Sequence, residues 1–160
     1  MARLTRRFTS TAATVVAVAL LAGCGDSGTS TKDRNAYAQK VNEAQTKFAS
    51  TVTTVSQAGG SSNSISQQRK TLARFQTAIE GVVRDLRAIK APGEVTKEHA
   101  QLTSVMTGFG NAIGDANAAM RNPTPRGIEQ AQQRVSAATQ SVNARVNAAI
   151  AAINVKLKRK

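Results

Sequence analysis

Along most of the chain, apolar side chains recur every three or four residues. Tyr37, Val41, Ala44, Phe48, Thr51 and Val55 form one such series. Leu72, Phe75, Ile79, Val82, Leu86 and Ile89 form a second, and Val95, His99, Leu102, Met106, Phe109, Ile113, Ala116 and Met120 a third. A fourth runs through Ile128, Ala131, Val135, Ala138, Val142, Val146, Ala149, Ile153 and Leu157. That period puts each series on one face of an α-helix, and the period-two alternation of a strand is missing.

The breaks between the series agree with this reading. Ser30 with Asp33, and Ser64 with Gln67, have the spacing of a helix start in which a side-chain oxygen takes an orphan N–H of the first turn. Residues 57–63 include Gly59-Gly60 and end the first helix. Ala91-Pro92-Gly93 ends the second, with Pro92 suited to the first turn of the third. Asn122-Pro123-Thr124-Pro125 closes the third, making Thr124 the cap and Pro125 the first residue of the fourth. Arg87 and Lys90 late in the second helix, and Glu94 and Glu98 early in the third, sit where the helix dipole favours their charges.

Each apolar face is narrow, so no such helix buries its face alone. Short connections force neighbouring helices to run antiparallel. The expected fold is all-α, an antiparallel up-down four-helix bundle over residues 31–160. Register sharpens the expectation. Phe48 lies nine residues before Gln57, Phe75 eleven after Ser64, and Phe109 eleven before Met120. At a rise of about 1.5 Å per residue, these positions share one level. The register predicts an aromatic layer of Phe48, Phe75 and Phe109, with Val135 or Ala138 as the small partner from the fourth helix. The four series resemble one another only in period, and no internal repeat is evident.

Residues 1–30 follow a different pattern. Arg3, Arg6 and Arg7 precede an apolar run from Ala12 to Ala22, too short to span a bilayer comfortably. The run stops at Leu21-Ala22-Gly23-Cys24. This segment resembles the bacterial lipoprotein signal, in which Leu, a small residue and Gly precede the Cys that is modified. The resemblance implies signal-peptidase recognition through Leu21, Ala22 and Gly23, cleavage after residue 23, and a diacylglyceryl thioether on Cys24, often with acylation of the new amino group. Residues 1–23 are then a signal peptide, and residues 24–30 the lipidated Cys and a flexible Gly- and Ser-containing tether. With its Ala- and Arg-rich composition and the Ala91-Pro92-Gly93-Glu94 break before His99 and Leu102, the whole chain resembles small helical lipoproteins of high-GC Gram-positive bacteria. That likeness implies a membrane-anchored domain on the extracytoplasmic face of the cell membrane and no named activity.

Composition narrows the chemistry. The 160 residues hold no Trp, one Tyr and four Phe, so the core is aliphatic, which favours helices. A single Cys excludes an intrachain disulfide framework and a CxxC zinc site. The chain carries 22 basic and nine acidic side chains, a formal charge of +13. Residues 1–23 hold three of the basic ones and no acid, so the remainder stays strongly basic. For an exported, tethered domain this charge suits anionic lipid headgroups or wall polymers, and nucleic acid is not an expected partner.

Candidate chemistry is sparse. His99 is the only imidazole, and Glu94 and Glu98 lie near it on the same turns. With no nucleophile or second ligand in view, it reads as a helix residue at the margin of the stripe rather than a base or metal ligand. Met106 and Met120, fourteen residues apart, read as core filler rather than a soft-metal site. Asn143, Asn147 and Asn154 share a face that reads as solvated. Gly108, Gly110 and Gly114 crowd the third helix, marking either close helix contact or a segment that opens a cavity. Lys156, Lys158, Arg159 and Lys160 form a basic tail that the up-down topology puts at the same end of the bundle as the tether, a candidate second membrane contact. The expected function is an interaction or structural module of the cell envelope, meeting an envelope protein of unknown identity. A carrier of a small molecule or lipid in a cavity between helices is the alternative. No enzymatic activity and no cofactor is expected.

Overall fold

The computed structural model describes residues 30–59, 64–121 and 123–158. Four helices run in sequence: α1 Thr31–Gly59, α2 Ile65–Ala88, α3 Thr96–Ala119 and α4 Pro125–Lys158. Among the described residues there is no strand. Consecutive helices pack side by side and antiparallel, α1 on α2, α2 on α3 and α3 on α4, as an all-α up-down bundle. Residues 1–29, which hold the expected signal peptide, Cys24 and all of the expected tether but Ser30, lie outside the described residues, as do Arg159 and Lys160.

The helix starts follow the sequence signals. Asp33 N–H donates to Ser30 Oγ at 3.1 Å while Ser30 Oγ–H donates to Asp33 Oδ2 at 2.7 Å, a reciprocal cap. Gln67 N–H donates to Ser64 Oγ at 3.2 Å, and Gly127 N–H to Thr124 Oγ1 at 3.0 Å. The start of α3 differs from expectation. Pro92 has extended backbone, with φ −55° and ψ 148°, and stands before a 3₁₀ turn at Gly93–Val95 rather than inside α3. Its carbonyl accepts from Val95 N–H at 3.0 Å and from Thr96 Oγ1–H at 3.2 Å. The tight turn drives Val95 completely out of solvent beneath the bundle, so the extra turn serves core closure.

The aromatic layer forms as the register requires. Phe109 meets Phe48 edge-to-face with ring centroids 6.0 Å apart, and Phe75 at 5.6 Å. Val135 and Ala138 both pack against the same core. Met106 fills that core, while Met120 joins Ala116 and Ala131 in a smaller cluster at the far end. Asn143 and Asn147 face solvent.

The three glycines of α3 divide in role. A Cβ at Gly110 would stand 3.2 Å from Ile79 Cγ2, and one at Gly114 would stand 3.0 Å from the Gln76 amide. Both let α2 and α3 approach. A Cβ at Gly108 would meet nothing within 4 Å. Gly108→Ala should therefore raise stability by about 1 kcal/mol through helix propensity alone. Gly110→Ala should lower it by up to about 2 kcal/mol, because crowding the β-branched, fully buried Ile79 costs about 1–3 kcal/mol and the propensity gain returns about 1. Chemical denaturation of the two variants side by side checks the pair of opposite signs.

Candidate functional site

Two features stand out from the packed aliphatic core. One is a polar cluster at the end of the bundle where α1 and α3 begin and α2 and α4 finish. The other is a groove on the outer face between α2 and α3.

The cluster centres on His99, which the antiparallel register brings level with Tyr37 as it brings Phe109 level with Phe48. Phe48 follows Tyr37 by eleven residues and Phe109 follows His99 by ten, so the two layers stand about 16 Å apart. The Tyr37 and His99 rings meet edge-on, 5.6 Å between centroids. His99 Nε2 lies 3.0 Å from the carbonyl oxygen of Leu86, which can only accept, so Nε2 carries the proton. Neutral imidazole then leaves Nδ1 as an acceptor, and Tyr37 O–H donates to it at 3.1 Å. Both ring nitrogens are thus occupied, and the imidazole helps cap the last turn of α2, whose Leu86 carbonyl also takes the Ile89 N–H at 3.0 Å. Burial holds the His99 pKa below its ordinary value, outweighing the Leu86 carbonyl, which favours the charged form. Burial, with the nearby Glu98 charge adding to it, holds the Tyr37 phenol well above its own.

The two acids that flank His99 in sequence do not pair with it. Glu94 Oε1 takes Arg34 Nε of α1 at 2.8 Å. Glu98 Oε1 takes Lys156 Nζ of α4 at 2.9 Å, with the Glu98 side chain only 12% exposed. Its other oxygen, Oε2, is buried without a hydrogen-bond partner among the described residues. The Lys156 hydrogen bond keeps the Glu98 carboxyl below its usual range despite burial. These two pairs tie α1 and α4 to the start of α3. Lys156 is therefore engaged with the bundle, and Leu157 packs against the core. Lys158, the last described residue, is exposed.

Acid should loosen this end in a defined window. The unfolded chain takes up a proton on His99 near pH 6.5, whereas the folded chain takes it up only at lower pH. Stability from His99 is therefore complete above about pH 6.5 and falls as the pH drops toward the lower folded value. Glu98, also shifted down, begins to weaken the fold only below its ordinary 4.5. Denaturation midpoints from pH 7.5 to 5 should fall for the native chain, and His99→Gln should flatten that slope. As the chain holds one His, its NMR titration reads the folded value directly.

The second feature is an open groove of about 750 Å³ that runs along α3 from Thr96 and Ala100 past Gly108 to Asn111, walled on the α2 side by Arg87 and Ile89. A smaller pocket of about 350 Å³, which adds Arg84 and Glu80, adjoins it at Arg87, Thr107 and Asn111. In the sequence Gly108 marks either close helix contact or an opening, and the groove's other walls, which come from two helices at once, show only in the fold. Sequence reading also missed Tyr37, Arg34 and Lys156 as partners across helices. The level-matching arithmetic that placed the Phe layer would have found the Tyr37–His99 pair.

Among the described residues, no group of three or more His, Cys, Asp or Glu side chains is placed to hold a metal ion. Nor is any described helix long and apolar enough to cross a membrane. Compared with protein-family models, curated proteins and solved structures, the chain matches none.

Proposed function

We propose that this chain is a lipid-anchored lipoprotein of the extracytoplasmic membrane face, acting as an interaction or structural module of the cell envelope. The observation that carries the reading is Leu21-Ala22-Gly23-Cys24, placed directly after a basic segment and a short apolar run. The bundle geometry is compatible with it. The pairs Arg34–Glu94 and Glu98–Lys156 put the start of α1 and the end of α4 at one end of the bundle. A packed core drawing on all four helices favours a module that works by its surface over a carrier with an internal cavity. Membranes from the native cell provide the test. The protein should stay with them through high salt and carbonate, and leave only with detergent. Release by salt alone would refute the anchor.

The tail adds a weaker, electrostatic contact. Each Lys or Arg near an anionic surface contributes about 1 kcal/mol, screened by salt. Because Lys156 holds Glu98, truncating α4 before it would disturb the fold as well as the charge. Replacing Lys158, Arg159 and Lys160 by Gln keeps that pair intact. In protein carrying Cys24→Ala, the triple change should weaken salt-sensitive binding to anionic vesicles and leave neutral vesicles unaffected. Unchanged binding would show a solvated terminus with no membrane role.

A further inference from the structure

Interior helical glycine costs about 1 kcal/mol against Ala and normally has a packing reason. Gly110 and Gly114 have one in Ile79 and Gln76. Gly108 has none inside the molecule: it is exposed, nothing stands within 4 Å of where its Cβ would be, and it lies in the groove between α2 and α3. The backbone of α3 is thus approachable from outside at this point.

The walls say what chemistry approaches. Arg84 and Arg87 are exposed, about one turn apart on α2, and form no ion pair among the described residues. Glu80, four residues before Arg84, is spaced for a helical pair yet accepts from Gln76 Nε2 at 3.0 Å instead. The two guanidinium groups remain open to an outside anion, and their planar donor forks match phosphate oxygens. Along the groove, Thr103 and Thr107 give their hydroxyl protons to the carbonyls of His99 and Thr103 at 3.0 and 2.9 Å, which leaves their oxygens as acceptors. Asn111 supplies an exposed amide. The large exposed apolar side chains among the described residues, Ile65 and Val155, lie outside the groove, whose apolar lining comes from Ile89, Ala91 and Ala100. The groove is open and runs about 22 Å from Thr96 to Asn111, a shape for a length of chain rather than an enclosed small molecule.

We propose that this groove binds a linear polyol or sugar polymer joined by phosphodiesters, lying along α3 over Gly108 with its phosphates on Arg84 and Arg87. The inference rests on the extracytoplasmic reading only for the source of the polymer, an anionic wall chain. Lipid on Cys24 plays no part in the binding, so failure of the anchor and failure of the groove are separable.

The test is calorimetric titration of the full chain, in neutral detergent, with short poly(glycerol phosphate). Neutral dextran, inorganic phosphate and phosphatidylglycerol vesicles are the comparison ligands. The polymer should bind, dextran should not, and the affinity should fall with salt. Arg84→Gln with Arg87→Gln should weaken binding at least tenfold. Gly108→Leu should weaken it as much while melting no lower than the native chain, since the added side chain enters open groove. Lys70→Gln with Arg74→Gln, exposed cations at the other end of α2, should change affinity less than twofold. Native-like binding by Gly108→Leu, an equal loss from the Lys70 and Arg74 pair, or preference for phosphate or vesicles over the polymer would overturn the proposal.

Discussion

Phe109→Ala should lower the free energy of unfolding by about 3–5 kcal/mol, the largest loss expected from any single core truncation here. Its ring is 4% exposed and stands between two others, at 5.6 Å from Phe75 and 6.0 Å from Phe48, both nearly perpendicular to it. Edge-to-face pairs contribute about 0.5–1.5 kcal/mol each beyond area burial, and this one substitution removes both. The rings come from three helices, so the space left behind has no single element that can shift to close it. Phe48→Ala should cost less, because Phe48 is half-buried and meets Phe109 alone among the rings. With a total stability of about 5–15 kcal/mol for a domain of this kind, the Phe109 variant should be visibly less helical near 37 °C. Urea titration followed by far-ultraviolet circular dichroism measures it. A loss under about 1 kcal/mol would mean that the layer does not hold the bundle together.

Cys24→Ala should abolish stable membrane attachment. Acyl chains contribute about 0.8 kcal/mol per buried methylene, one chain is marginal, and two or three hold firmly. No described helix is long and apolar enough to take over that role. What is left is charge attraction through the basic tail, which salt screens. The variant should take up no fatty-acid label and should either retain residues 1–23 or appear in the soluble fraction. Normal labelling of the Cys24→Ala protein would remove the basis of the proposed function.

Much of the fold was legible because it follows from local rules. The apolar period fixed which face of each helix is buried, and Ser30, Ser64 and Thr124 marked helix starts through hydrogen bonds that span three residues. The Phe layer followed from counting residues from the turns, since rise per residue is constant. The beginning of α3 was less clear, because the 3₁₀ turn exists to bury Val95 against other helices and no local signal reports that. His99 shows the limit most plainly. Its neighbours in sequence, Glu94 and Glu98, raise a base or metal-ligand role that is set aside for want of a nucleophile or second ligand, and they meet Arg34 and Lys156 instead. The partners that hold His99 are Tyr37 and a main-chain carbonyl that no side-chain pattern reveals. The groove was invisible for a related reason: exposed arginines and a glycine acquire meaning only once two helices are placed side by side.

The most direct test of the account is the intact mass of the protein extracted from its own membranes. A chain that begins at Cys24 and carries a diacylglyceryl group, with or without a further acyl chain on the amino group, is the predicted result. A mass that retains residues 1–23, or that ends in an unmodified Cys24 thiol, would contradict it.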